Sequence, residues 1–500
     1  MTAKTAPKPR KKSASGGFGQ KLSAVLATPQ LNYKVIVSVT LILTALGVTM
    51  VLSSSMVTSR TDESSVWTVF LKQVAFALLG LATAWGTLRL RSDTIKRFSP
   101  YFVIVALVLQ FALFIPGVGV GQEIGSHSWI RVNGVGIQPS ELAKVALAVW
   151  GSAVVTRRVR QDPHLIRGLG TFLMLAGTMM IVVLIQMDLG MMLTVGIVFL
   201  SLVFFAGLSN RIMAFFFGGV LFLAGVATVT QAYRNDRMRT WMDALTLNFR
   251  EGTTQGPSYQ TYQGLLSLSD GSLTGTGLGQ SRAKWYYLPE AKNDFIFAII
   301  GEELGWIGAV IVVVLFCMLG WFGLRTALAQ TDPFLAMMAV TLTLGIVVQA
   351  FYNMSYVLGL VPMTGIQLPL ISAGGTSMVI TLGSMGLLAN CARHEPEAIS
   401  SMQHEGRNLF DRVLGLPEPL PYRSGEQRRI RRRESTRRYG DPVTRRPSTP
   451  GSAGHDVSAD RRRRRQARER IPRRNRLADY DGSSTWHRRE PLPPKNNRRR

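Results

Sequence analysis

Apolar residues run through this chain in long blocks separated by short polar stretches. Ten blocks lie near residues 34–54, 66–88, 100–118, 138–156, 169–187, 189–208, 211–232, 298–324, 333–356 and 369–391. Each is long enough for a helix to cross a hydrocarbon core of roughly 30 Å, which takes about 20 residues. Strand-period alternation is absent, so a transmembrane β-barrel is excluded. The pattern predicts an all-α polytopic membrane protein of ten transmembrane helices. Asp188 separates the fifth and sixth blocks, and a long polar loop, 233–293, separates the seventh and eighth.

Charge orients these blocks. With both termini on the cytoplasmic side, the short inner loops carry Arg89, Arg91, Lys96, Arg97, Arg157, Arg158, Arg160, Arg167, Arg211 and Arg325, and the short outer loops carry only Arg60 and Arg131. That is the positive-inside bias. It puts the loop 233–293, the loop 119–137 and the turn 357–368 on the outer face, which is therefore the working face.

The formal net charge of +27 comes mainly from the ends of the chain. Residues 1–34 hold seven Lys/Arg and no acid, and from Arg393 onward 29 Lys/Arg face 14 Asp/Glu. Residues 1–32 and 393–500 are expected to be disordered basic tails flanking a membrane domain at 33–392, because runs such as RRIRRRESTRR carry too few apolar residues to form a core. Beside a cytoplasmic membrane face such runs suit anionic headgroups or acidic proteins, and nucleic acid is not the expected partner.

Several chemistries drop out. Cys317 and Cys391 both fall in apolar blocks, so a disulfide framework is not expected. The six histidines have no zinc spacing. The stretch GTGLG at Gly275–Gly279 follows no strand, so it reads as a tight turn or a close backbone approach to substrate and not as a dinucleotide fingerprint. No organic cofactor is expected, and the polar N-terminal stretch does not resemble a cleavable signal peptide.

Polar residues recur at the outer boundary. Asp294 ends the long loop where the eighth block begins, a depth at which a carboxylate caps a helix, pairs with a cation or does chemistry. Ser140 and Glu141 open the fourth block after Pro139, and Lys144 stands one turn on, where it can pair with Glu141 or, with Arg131, present a cation to a phosphate. Asp188 reads as a helix-starting acid. In GLVPMTGIQLPLISAGGTSMV, residues 359–379, the prolines and glycines forbid one continuous helix. Broken backbone survives at membrane depth only where protein or a watery cavity satisfies it.

The stretches WIRVNGVGIQPSELAK, QMDLG, LPEAKNDFIFAIIGEELG, QAFYNMSYVLGLVPMTGIQLPLISAGGTS and ARHEPEA occur in an order that resembles the SEDS family of membrane glycosyltransferases, nearest to its cell-division branch. The resemblance spans about residues 33–399. It implies polymerisation of lipid II, the polyprenyl-diphosphate-linked disaccharide pentapeptide, into septal peptidoglycan. It further implies Asp294 as the general base and Glu141 with Lys144 as the family's polar pair, and the expected substrate-contacting set is Arg131, Ser140, Glu141, Lys144, Glu290, Ser372 and Gly374. A divalent cation, magnesium or manganese, is implied as cofactor. The implied partners are a class B penicillin-binding protein and divisome proteins, including FtsZ through the basic C-terminal tail. Two positions depart from common family patterns: Met187 replaces a proline, and Thr364 stands where some members carry lysine. An elongation-type polymerase, a lipid II flippase and a non-catalytic scaffold are the alternative readings. Against a flippase, the inner halves of the blocks are nearly uncharged, whereas transport needs a polar path through both leaflets.

Overall fold

The computed structural model describes residues 28–58, 66–120, 127–132, 135–159, 165–229, 232–246, 257–282, 292–407 and 409–421. Helices occupy all ten expected positions. They are α1 (Leu31–Thr58), α2 (Val66–Arg89), α3 (Ser92–Ala112), α4 (Pro139–Val159), α5 (Leu165–Ile185), α6 (Leu189–Phe205), α7 (Asn210–Val229), α10 (Ile296–Ala329), α11 (Pro333–Val357) and α12 (Thr376–Arg393). Five of them, α1, α2, α3, α10 and α11, are long and apolar enough to cross a membrane by length and composition. This is a multi-pass membrane protein.

The largest differences from expectation are at two helix starts. Helix α3 begins eight residues early, because the polar turn holding Asp93, Lys96 and Arg97 continues the helix below Pro100. Helix α12 begins late, at Thr376, because residues 358–375 form turns and extended backbone. The loop 233–293 contains two helices, α8 (Ala232–Leu245) and α9 (Pro257–Asp270). The loop 119–137 folds as a small antiparallel sheet of β1 (Gly119–Val120), β2 (Trp129–Val132) and β3 (Val135–Ile137), with Gly119 opposite Ile130 and Arg131 opposite Gly136.

Without water to take up stray polar groups, side chains fasten one helix to another's backbone. Thr83 and Thr87 of α2 donate to the carbonyls of Val379 and Gly383 in α12. Asn390 of α12 returns the favour at the end of α2, its amide reaching the carbonyls of Thr87, Leu88 and Leu90 at 2.8–3.1 Å. Those carbonyls have no intrahelical partner at a C-terminus. Helix α10 is broken at Gly305, whose φ of 70° is open to glycine but strained for other residues. The turn 271–277 fills the break: the N–H groups of Thr276 and Gly277 donate to the carbonyls of Glu302 and Glu303, and Trp306 donates to Ser272. The close approach read into GTGLG is therefore to the protein's own helix.

The expected start of the disordered C-terminal tail, at residue 393, is corrected here. Past α12 the chain forms α13 (Pro396–Glu405) and α14 (Leu409–Val413) against the ends of the bundle helices. Arg393 and Asp411, both almost fully buried, pair at 3.0 Å, and Tyr33 of α1 donates to the same carboxylate. Trp85 of α2 donates to the carbonyl of Leu414. A composition poor in apolar residues hid this because only a few apolar side chains, Ala398, Ile399, Met402 and Leu416, are buried there, and the polar contacts of Asp411 and Leu414 fasten the segment with them. Residues 1–27 and 422–500 lie outside the described residues.

Between α12 and α13, Glu395 accepts both oxygens' worth of contact from the Asn32 amide, at 2.9 and 3.0 Å. Burial raises its pKa to about 7, against smaller opposing effects of Asn32, Thr326 and Arg325 and a further upward push from Glu397. The folded protein thus holds this proton to higher pH than an unfolded chain does. The stabilisation is full below the usual 4.5 and is lost as pH rises toward about 7. Glu395→Gln should flatten the fall in melting temperature across that window and leave the variant more stable than wild type at alkaline pH. Thermal unfolding in detergent against pH checks this, and an unchanged slope in the variant would contradict it.

Candidate active site where helices α10 to α12 meet

Helix α11 carries Gln349, Asn353 and Tyr356 at spacings of four and three, so they share one face. That face holds two irregular segments together. Asn353 donates to the carbonyls of Asp294 at 3.0 Å and Ile366 at 2.7 Å. The Tyr356 hydroxyl lies 2.9 and 2.7 Å from the same two oxygens. One turn back, the Gln349 amide donates to the carbonyl of Gln367 at 3.1 Å. The segments also pair with each other: Ala373 donates its N–H to Lys292, and Ser372 Oγ donates to the carbonyl of Asn293 at 2.7 Å while accepting from the N–H of Leu368.

Asp294 is therefore fixed through its backbone carbonyl. The N-cap position of α10 is held by Phe295, whose own side chain makes no capping hydrogen bond. The Asp294 carboxylate borders Gly365, whose φ is 75°. A carbon placed as a side chain on Gly365 would lie 3.4 Å from Asp294 Oδ2 and 3.8 Å from Arg237 Nη1. Arg237, on α8, also reaches the carbonyl of Met363 at 3.4 Å. Carboxylate, guanidinium and bare backbone thus meet at one half-buried spot.

The other expected residues are placed differently. Glu141 and Lys144 form an ion pair of 2.7 Å, 2% and 5% exposed, and Gln349 closes the cycle by accepting from Lys144 and donating to Glu141. With Thr341, Thr381 and Ser384 they line a cavity between α4, α11 and α12. Ser140 is fully buried, and its hydroxyl has no protein partner among the described residues. Ser372 spends its hydroxyl on backbone. A side chain at Gly374 would run into Gln367 Oε1, at 2.2 Å, so this glycine lets the broken segment close on itself. Arg131 is exposed on β2, and Glu290 lies outside the described residues. Asp188 is the helix-starting acid expected: it caps α6 by accepting from the N–H of Met191 at 2.9 Å, and Gln138 ties it to the β-hairpin.

Sequence reading missed Arg237, Gln349, Asn353 and Tyr356 as individuals. The last three had a signal, a polar stripe at helical spacing inside an apolar block. Arg237 had none, being one of many cations in a long loop. Among the described residues no three of His, Cys, Asp and Glu gather as a metal-donor set, so the described chain does not build a protein-only metal centre.

A polytopic helical bundle with a broken segment and an acid held at one membrane boundary defines a class of integral membrane proteins, and comparison places the chain within it. The profile of the family described as Cell cycle protein, covering FtsW, RodA and SpoVE, matches residues 33–397, so the chain belongs to this family. It is 39% identical over 419 residues to the probable peptidoglycan glycosyltransferase FtsW of Mycobacterium tuberculosis, covering 84% of this chain and 79% of that one. It is 34% identical over 365 residues to stage V sporulation protein E of Bacillus subtilis, covering 72% and 96%. Its fold matches a chain of a peptidoglycan synthase complex that coordinates polymerization and crosslinking, with a TM-score of 0.56 at 22% identity over 72% of this chain and 97% of that one. It also matches the rod shape determining protein RodA of Thermus thermophilus, with a TM-score of 0.52 at 20% identity over 72% and 96%.

The closed Glu141–Lys144–Gln349 cycle carries its own prediction. Removing one partner leaves a buried charge alone, a loss of about 3–5 kcal/mol, whereas replacing both with apolar residues of similar volume is close to neutral. Glu141→Leu and Lys144→Met should each impair folding and activity, and the double variant should recover both. A folded but inactive double variant would instead put Lys144 on the substrate.

Proposed function

We propose that this protein polymerises lipid II into peptidoglycan glycan strands at the division septum, with Asp294 as the general base. The observation that carries the reading is the fixing of Asp294 by Asn353 and Tyr356 so that its carboxylate faces the bare backbone at Gly365. Membership of the FtsW, RodA and SpoVE family and the names of its relatives support the reaction class. In this reading all ten helices cross the membrane, both termini are cytoplasmic, and the connection bearing α8 and α9 is extracytoplasmic, as the positive-inside bias requires.

Transfer from an α-linked sugar diphosphate to give a β-1,4 link inverts the anomeric carbon, so one base is enough. The acceptor 4-hydroxyl oxygen bonds to the anomeric carbon, its proton passes to Asp294, and the bond to the diphosphate breaks with its electron pair leaving on phosphate. Gly365 leaves the space in which the hydroxyl approaches. A magnesium or manganese ion would accompany the diphosphate, since such ions are commonly held by one or two carboxylates plus substrate phosphates, and would neutralise charge on the leaving group. The fold match to a peptidoglycan synthase complex supports a class B penicillin-binding protein as partner.

Asp294→Asn should keep a folded, membrane-inserted protein and lower glycan synthesis by about 10² to 10⁴, the usual worth of a general base. Polymerisation of labelled lipid II by purified protein measures this, and retention of more than roughly a tenth of wild-type synthesis would remove the assignment.

The basic segment beyond the docked α13 and α14 is assigned to recruitment, through anionic lipid and an acidic division protein such as FtsZ. Each Lys/Arg near an anionic surface adds about 1 kcal/mol, screened by salt. Truncation after residue 423 should leave polymerisation in detergent near the full-length rate and reduce septal accumulation of a fluorescent fusion. Normal septal accumulation of the truncated protein would refute the recruiting role.

A further inference from the structure

We propose that Arg237 is the cation that holds the donor's diphosphate beside Asp294. This rests on the polymerase reading of the Asp294 site and adds the residue that recognises the leaving group. The reaction needs a base for the acceptor hydroxyl and, within a few ångströms, positive charge for the diphosphate on which the electron pair of the broken bond leaves. Among the described cations, Arg237 is placed there. Its Nη1 and the Asp294 carboxylate border the same uncovered position at Gly365.

Lys144 is buried in its cycle with Glu141 and Gln349, and Arg131 stands exposed on β2. Thr364 offers no charge at the position where a lysine was considered, and Arg237 brings one to the adjoining backbone from α8. A guanidinium suits the task. Its five N–H donors form a planar fork that can hold the Met363 carbonyl and phosphate oxygens together, and it keeps its charge at any working pH. The competing reading is that Arg237 only ties α8 to the broken segment, since its contact with Met363 would do that much alone.

The two roles separate by binding. With full-length protein in detergent, undecaprenyl diphosphate and undecaprenol serve as probes that share a tail and differ in the diphosphate. Wild type should prefer the diphosphate, and Arg237→Gln should lose about ten- to a hundredfold of affinity for it while binding undecaprenol as before. Arg237→Lys should recover part, because an ammonium keeps the charge and lacks the fork. Should Arg237→Gln fail to fold, wild type supplies the second measurement. Undecaprenyl diphosphate, and not undecaprenol, should protect Arg237 from phenylglyoxal, read by mass spectrometry.

An unchanged diphosphate preference in Arg237→Gln, or no protection of Arg237, overturns the proposal even if the variant is a poor polymerase. The polymerase reading fails separately. Asp294→Asn should bind the diphosphate as wild type does, so active Asp294→Asn protein with Arg237 still protected would remove the base and leave the diphosphate site standing.

Discussion

Backbone that leaves a helix inside a membrane must find hydrogen-bond partners in protein, and one face of α11 supplies them here. Gln349, Asn353 and Tyr356 hold the carbonyls of Asp294, Ile366 and Gln367, so two segments that are not helical have protein partners for these three oxygens. An unmade hydrogen bond in such surroundings costs several kcal/mol, far more than the same bond adds in water. The strength of that constraint is why Asp294 has a definite position although it lies in a turn. Within that residue the main-chain oxygen is the anchor, and the carboxylate borders Gly365.

The opposite ends of the same helices are secured by charge. Lys96 pairs at 2.6 Å with Asp332, which also caps α11, and Arg393 pairs with Asp411 under α1. Fixing α11 and α12 at that end gives the polar face of α11 a rigid base. Asp411 and Tyr33 further commit residues 394–416 to the bundle, so the segment that follows the last helix is part of the scaffold and not of the tail.

Much of this was legible in the sequence because membrane burial writes itself in blocks. Each apolar block became a helix, Asp188 became a cap, and the prolines and glycines of residues 359–375 broke the chain where they stand. What escaped notice was long-range pairing. Glu141 and Lys144 were visible as neighbours on one turn, but not Gln349, some two hundred residues on, which closes their cycle and removes them from solvent. Nothing local marks Arg237 as the arginine that borders Gly365 together with Asp294, and nothing in a polar segment advertises that Asp411 will be buried. Arg131 stood out by its loneliness among outer-loop charges, yet a cation on an exposed hairpin is cheap to keep and needs no site to explain it.

The central claim is that α11 positions Asp294 by bonding its main chain together with that of Ile366. Hydrogen exchange of wild type and Asn353→Leu in detergent, read at residues 292–295 and 363–373, tests this most directly. Loss of Asn353 should raise exchange in both segments together and reduce lipid II polymerisation, with α2 and α12 unaffected. Unchanged protection in the two segments alongside full polymerisation would contradict it.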